Sequence, residues 1–340
     1  MNKHWITSVI GKINYQKLLF VILVALLFTF NYLTEGILFK KNVLFGLTEN
    51  VMEIGILALG MTFVIATGGI DLSVGYIMAL SAVIMGWTYE RTANMLLAVL
   101  SCFATGFLCG AFNGIIITKG RIPPLVTTLA TFSLFTGISK IITGTQIFSK
   151  FPRGMSFLIT HKMFGVIPYQ FLLFLFLSAI FAVLLDKTRY GRYVRGMGFN
   201  EQTIRFSGVN VDKVKVSVYI LMGLLASLAA IVYLCRLPAA KPDIGININL
   251  ETITAVVFGG TSIVGGVASI QGTVLSILVL GVLRKGLSLI GMGGDKYNFI
   301  LGIILVSCLI SFSAMSGQIE IKNLRRRLGF IFGISRNINK

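Results

Sequence analysis

Apolar residues run through this 340-residue chain in blocks long enough to cross a lipid bilayer, with polar positions in short bands between them. A spanning helix needs about 20 mostly apolar residues. Ten stretches approach that length, near 18–38, 44–66, 72–88, 93–117, 122–142, 169–185, 214–234, 251–268, 272–290 and 297–313. Several are short or broken by glycine. The pattern predicts an all-α, polytopic integral membrane protein of about ten transmembrane helices. The largest pieces outside these blocks are 143–168, 186–213 and 314–340, and no linker rich in Pro or Ser divides the chain. A single transmembrane domain over 1–340 is expected, with a loop at 186–215 and a basic tail at 314–340.

Composition agrees: 55% of residues are hydrophobic and only 12% charged, against about 25% charged in a soluble domain. The net charge of +18 raises nucleic acid as a partner, but its distribution argues against one. With the N-terminus cytoplasmic, alternate loops hold 18 Lys and Arg inside and nine outside, and three more lie near or within span ends. Basic loops stay cytoplasmic, so both termini are expected inside, and the excess reads as topology and attraction to anionic lipid. Residues 1–17 are polar and basic, but the apolar stretch after them is long for a signal peptide and lacks a small-residue cleavage site. That first span is expected to be retained. The four cysteines are scattered with no paired spacing, which suits small buried residues rather than a metal site or disulfide.

The most informative stretch is Gly68-Gly69-Ile70-Asp71-Leu72-Ser73-Val74-Gly75. It sets an acid and a hydroxyl between two apolar runs, where a charge costs about 2.5–3.5 kcal/mol at a span centre. A weaker echo follows in the second half: Gly259-Gly260-Thr261-Ser262-Ile263-Val264-Gly265-Gly266, then Gln271-Gly272-Thr273. Paired glycine-interrupted segments in two halves point to internal repeats with a solute pathway between them. Tight helix packing is the competing explanation. Polar Asp71, Ser73, Thr261 and Ser262 favour the pathway.

Other polar positions carry two readings each. Asp71 either lines a hydrated cavity or caps the following helix. Glu49 and Glu53 share one helix face, as a solvated helix start or as an acidic face at an outer mouth. Asn113, Thr127 and Thr128 offer neutral hydrogen-bonding groups that suit a polyhydroxylated solute, and threonines also serve helix interfaces. In the 186–215 loop, Asn200 suits an N-cap, Glu201 a first turn and Gly208 a stop. Ile204 and Phe206 are then apolar on a short helix outside the membrane, beside Arg205. Such a helix fits docking into a partner's groove or rest on lipid. No phosphate-binding loop is present, because the only Gly-Lys pair, Gly11-Lys12, has Ile6 where the motif needs glycine. The two histidines, His4 and His161, are isolated. Neither an enzyme nor a cofactor is expected. If ATP powers transport, another subunit must hydrolyse it.

On three motifs the chain resembles the membrane-spanning permease subunit of bacterial ABC importers, in the ribose, xylose and autoinducer-2 branch. They are Gly68 to Gly75, Ile122-Pro123-Pro124 with Thr127 to Thr131, and Phe258-Gly259-Gly260-Thr261-Ser262 with Gly265-Gly266 and Gly272-Thr273. The segment ending Arg205-Phe206-Ser207-Gly208-Val209-Asn210-Val211 resembles the family's coupling segment. The resemblance, over about 43–313, implies two permease subunits, identical or paralogous, in the inner membrane. It also implies two cytoplasmic ATP-binding subunits and an extracytoplasmic sugar-binding protein. Asn200, Glu201, Ile204, Arg205, Phe206 and Gly208 would then face the ATPase. Four positions depart from the family pattern: Phe199 replaces a glycine, Thr203-Ile204 a pair of alanines, and Lys285 an asparagine. An ion-coupled secondary transporter or channel using Asp71, Glu53 or Glu251 is the alternative, but it has no use for the 186–215 loop.

Overall fold

The computed structural model describes residues 3–48, 51–156, 161–163, 165 and 167–315. Glu49 and nearly all of the basic tail lie outside the described residues. The helices are α1 (Lys3–Leu33), α2 (Lys41–Gly46), α3 (Met52–Ala66), α4 (Val74–Thr92), α5 (Met95–Lys119), α6 (Pro124–Thr143) and α7 (Tyr169–Lys187). After these come α8 (Arg189–Phe199), α9 (Glu201–Phe206), α10 (Val211–Arg236), α11 (Ile248–Phe258), α12 (Ile270–Leu289) and α13 (Gly294–Met315). Extended structure among the described residues is slight, an antiparallel pair joining β1 (Lys162–Met163) to β2 (Ile167–Pro168) and one bridge from Phe148 to Ala240. The protein is an all-α membrane protein.

Among the described residues, six helical stretches are long and apolar enough to span a bilayer: Tyr15–Leu33 of α1, then α5, α6, α7, α10 and α12. Two expected spans differ in an instructive way. The 44–66 stretch is split into α2 and α3, and 251–268 is helical only to Phe258, where Gly259 and Gly260 end it. At 1.5 Å per residue, α3 and α11 reach about 22 Å and about 16 Å, short of the roughly 30 Å hydrocarbon core. Every residue of α3 is buried. A helix apolar on all sides belongs in the middle of a bundle, and α3 has α7, α10, α11 and α12 around it.

The largest helix contact joins α5 to α10. Gly106, Gly110 and Gly114 form a stripe with four-residue spacing on α5. Any Cβ there would overlap Gly223 and Ser227, Tyr219, or Val216 of α10. Small residues let helix backbones approach where lipid gives no hydrophobic drive for association. The Ser227 hydroxyl donates to the Cys102 carbonyl at 2.8 Å across the same seam.

One segment between α10 and α11, with a 3₁₀ turn at Pro242–Gly245, packs along α4. Ala240 packs against Gly86 of α4 and Gly245 against Gly75, so residues 240–245 run antiparallel along three turns of α4. Ala240, Ile244 and Gly245 are buried, while Lys241 and Asp243 pair at the segment's exposed edge. We expect Gly110→Val to lower stability by about 2 kcal/mol through overpacking, read as thermal melting in detergent. Gly137→Ala, where an added methyl meets nothing within 4 Å, should leave the melting temperature unchanged or raise it.

Candidate functional site

The first break is held by side chains from four directions. Asp71 Oδ1 accepts from the Ser73 amide at 2.8 Å and the Ser73 hydroxyl at 2.6 Å. Ser73 Oγ accepts in turn from Asn113 Nδ2 at 2.9 Å. Asp71 thus satisfies a free donor at the start of α4. The break also frees carbonyls. Thr128 of α6 donates to Ile70 O at 3.2 Å, and Asn249 of α11 to Leu72 O at 3.2 Å. Asn113 lies six residues before the end of α5, about 9 Å along the helix. Tyr219, whose hydroxyl abuts Gly69, lies eight residues into α10, about 12 Å in. The break therefore climbs well inside the bundle.

Four polar atoms around it have no hydrogen-bond partner among the described residues: Asp71 Oδ2, Asn113 Oδ1, Thr127 Oγ1 and the Tyr219 hydroxyl. All four residues are buried. Unpaired buried polar groups cost about 1–3 kcal/mol each, so such a group calls for an explanation.

The second break is built on the same plan. The Ser269 amide reaches Thr261 Oγ1 at 3.4 Å, and the Ser262 amide bonds Val267 O at 2.9 Å, closing the loop. Ser269 then caps α12 by accepting from the Gly272 amide at 3.1 Å. Tyr15 of α1 donates to Phe258 O at 2.8 Å, and Gln16 reaches Ser269 Oγ at 3.0 Å.

The sequence separates the two breaks by nearly two hundred residues, yet they touch. The Gly266 amide donates to Ala66 O at 3.0 Å, and Gly265 lies against Gly68. A third segment enters the same contact. Gly198, at the end of α8, sits directly on Ala66 O and the Gly266 amide with no room for a Cβ. Gly68, Gly265 and Gly266 all have positive φ, so the junction uses both freedoms of glycine, conformation and close approach. The role of Gly198 escaped sequence reading. Its signal was a glycine inside a helix, at a place with no turn to make.

Beyond Gly198 the chain forms α9. Asn200 Oδ1 accepts from the Thr203 amide at 3.0 Å as N-cap, and Gly208 ends the motif at φ +81°. Ile204 packs into the space left by Gly196, folding α9 back onto α8. Arg205 pairs with Asp212 at 2.9 Å and Glu201 at 3.3 Å, while Lys215 pairs with Glu201. Asp212 first, then Glu201, hold the exposed guanidinium above its ordinary pKa range. Phe206 makes α9 conspicuous, with 89% of its surface exposed. A cavity of about 810 Å³ opens between Glu201, Arg205 and Phe206 on one side and Ile117, Arg121 and Pro123 on the other.

At the far end of the bundle, Glu53 is 3% exposed and pairs with Arg236 at 2.9 Å; Glu251 pairs with Arg284 at 3.3 Å. Among the described residues no group of three or more His, Cys, Asp or Glu is placed to hold a metal.

Short broken helices in a polar-lined bundle, with an amphipathic loop tied to the breaks, define a membrane transport protein. The chain belongs to the family described as branched-chain amino acid transport system / permease component, matched over residues 43–309. The ribose import permease protein RbsC of Escherichia coli K12 is 36% identical over 277 residues, covering 80% of this chain and 86% of that one. The autoinducer 2 import system permease protein LsrD of Klebsiella pneumoniae is 31% identical, with 93% and 97% covered. The fructose import permease protein FrcC of Rhizobium meliloti is 31% identical, with 84% and 82% covered. No solved structure matches the chain. The protein is the permease component of an importer and not an enzyme. It is a multi-pass protein of the inner membrane, and its family implies an ATPase and a binding protein as partners.

Removing one member of a buried ion pair leaves a lone charge, which costs more than removing both. Arg236→Met alone should therefore destabilise by roughly 2 kcal/mol. The double variant Glu53→Gln/Arg236→Met should recover part of that loss, measured by melting of the purified proteins.

Proposed function

We propose that the chain forms one half of the translocation pathway for a sugar or sugar-like solute, powered by a separate ATPase seated on α9. The observation that carries this reading is the seat of Gly198 on both breaks at once. A push on α9 reaches α8 through Ile204 and Gly196, and then reaches the ends of α3 and of the α11–α12 loop through Gly198. The exposed Phe206 and the adjoining cavity supply the docking face. Asn200 and Gly208 shape α9, while Glu201 and Arg205 also line the cavity beside Phe206.

The solute class rests on the relatives, whose names give ribose, fructose and autoinducer 2. Neutral hydroxyl and amide groups along the first break fit such solutes. We place the pathway beside Asp71, Ser73, Asn113, Thr127 and Thr128, with Thr261 and Ser262 in the opposing break and Glu53 toward the mouth. The orphaned oxygens of Asp71, Asn113 and Thr127 would gain partners when it hydrates. Ten segments crossing the membrane are proposed, α11 with its loop counting as one. Both termini would lie on the cytoplasmic side with α9, and a second permease subunit would complete the pathway.

Two experiments test this. With the ATPase and binding protein co-expressed, Phe206→Asp should abolish ATPase co-purification while leaving the melting temperature unchanged. Gly198→Ala should keep the ATPase bound yet cut uptake at least tenfold. Parallel loss of docking and uptake in Gly198→Ala would make that residue part of the docking face only. The second concerns the pathway. Thr127→Ala removes a hydroxyl that bonds nothing here, so uptake of labelled pentoses and hexoses should fall several-fold at constant stability. Unchanged uptake would remove Thr127 from the pathway.

A further inference from the structure

The start of α8 lies directly against the end of α7, because Gly191 rests on the Leu184 and Leu185 carbonyls with no room for a Cβ. One turn on, the Arg195 side chain reaches back over the same end. Its Nη1 donates to Leu185 O at 3.2 Å, and its Nη2 donates both to the Asp186 carboxylate and to Ala268 O, the latter at 3.1 Å. The other Asp186 oxygen accepts from Gln271 Nε2 at 3.3 Å. Ala268 belongs to the second break, next to the Ser269 cap of α12, and is wholly buried. One guanidinium therefore ties together the end of α7, the body of α8 and the loop that opens α12.

Capping explains part of this. The last carbonyls of a helix lack internal partners and favour a cation, which accounts for the bonds to Leu185 and Asp186. It does not account for Ala268, 73 residues away from Arg195 in the chain. Gly198, one turn further along α8, meets the same break by close contact. Packed atoms resist being pressed together strongly and being drawn apart weakly, whereas a charge-assisted hydrogen bond resists both. We infer that Arg195 is a positioning residue for transport: it makes the second break follow α8 when α8 withdraws, just as Gly198 makes the break yield when α8 advances. The inference rests on the reading that a partner ATPase moves α9 and α8. Asp186 and Gln271 hold the guanidinium in line and fasten the first turn of α12 to the same clamp. Without Arg195 the ATPase would cycle while the second break lagged behind, so ATP would be spent without solute crossing.

The test uses the complex with ATPase and binding protein in liposomes, with ATP hydrolysis and uptake of labelled ribose and fructose measured on the same vesicles. Arg195→Gln should keep the ATPase bound at a matched melting temperature and raise the ATP used per sugar at least fivefold. Arg195→Lys, which keeps the charge and a donor for Ala268 O, should bring that ratio back to within twofold of wild type. An unchanged ratio in Arg195→Gln, or one that Arg195→Lys leaves as high, would overturn the inference. A second measurement needs neither a sugar nor an Arg195 variant. Spin labels on Arg192→Cys and Val264→Cys, both exposed positions, should keep one separation in the nucleotide-free and vanadate-trapped states, read by electron paramagnetic resonance. A separation that changes between those states would show that the break does not follow α8, and would sink the inference while leaving the importer reading intact. Failure of the ATPase to bind the wild-type chain would instead overturn that reading and the inference with it.

Discussion

Everything in this structure depends on one constraint: backbone amides and carbonyls freed inside a lipid bilayer must find partners within the protein. Two helices stop short of crossing, and each stop liberates polar groups at depth. The first is answered by Asp71, Thr128 and Asn249, the second by Tyr15, Ser269 and Thr261. These partners come from α1, α6 and α11 as well as from the breaks themselves. The breaks thus organise the bundle around them, because each neighbouring helix brings a required donor or acceptor.

The same constraint explains the glycines. At the Ala66–Gly198–Gly266 junction, three backbones meet with no side chains between them. Neighbouring main chains this close transmit displacement directly, since there is no flexible side chain to absorb it. Along α5 and α10 the glycines do the opposite task, locking two long helices into one rigid unit.

Much of this was legible in the sequence. Apolar blocks gave the class, the twin glycine-polar stretches located both breaks, and Asn200 with Gly208 bounded α9 in the way their caps predict. The failures are equally physical. Hydropathy counts apolar length, so 44–66 and 251–268 were counted as spans although the helices within them, α3 and α11, are too short to cross alone. The Glu53–Arg236 pair joins residues 183 positions apart, and no local pattern announces such a partner. Gly198 failed for the same reason: its meaning lies in Ala66 and Gly266, which only the fold brings near.

The Gly198 seat also bears on modularity. Residues 196–208 look like a detachable cassette, bounded by glycines and exposed on one face. The outward half is portable in shape, because α9 carries its own cap and its Ile204 latch, although Asp212 and Lys215 of α10 pair with Arg205 and Glu201. The inward half is not, since it was cut to fit two other stretches of backbone. A loop borrowed from a related permease would bring a new docking face but arrive without its socket, unless residues around 66 and 266 travelled with it.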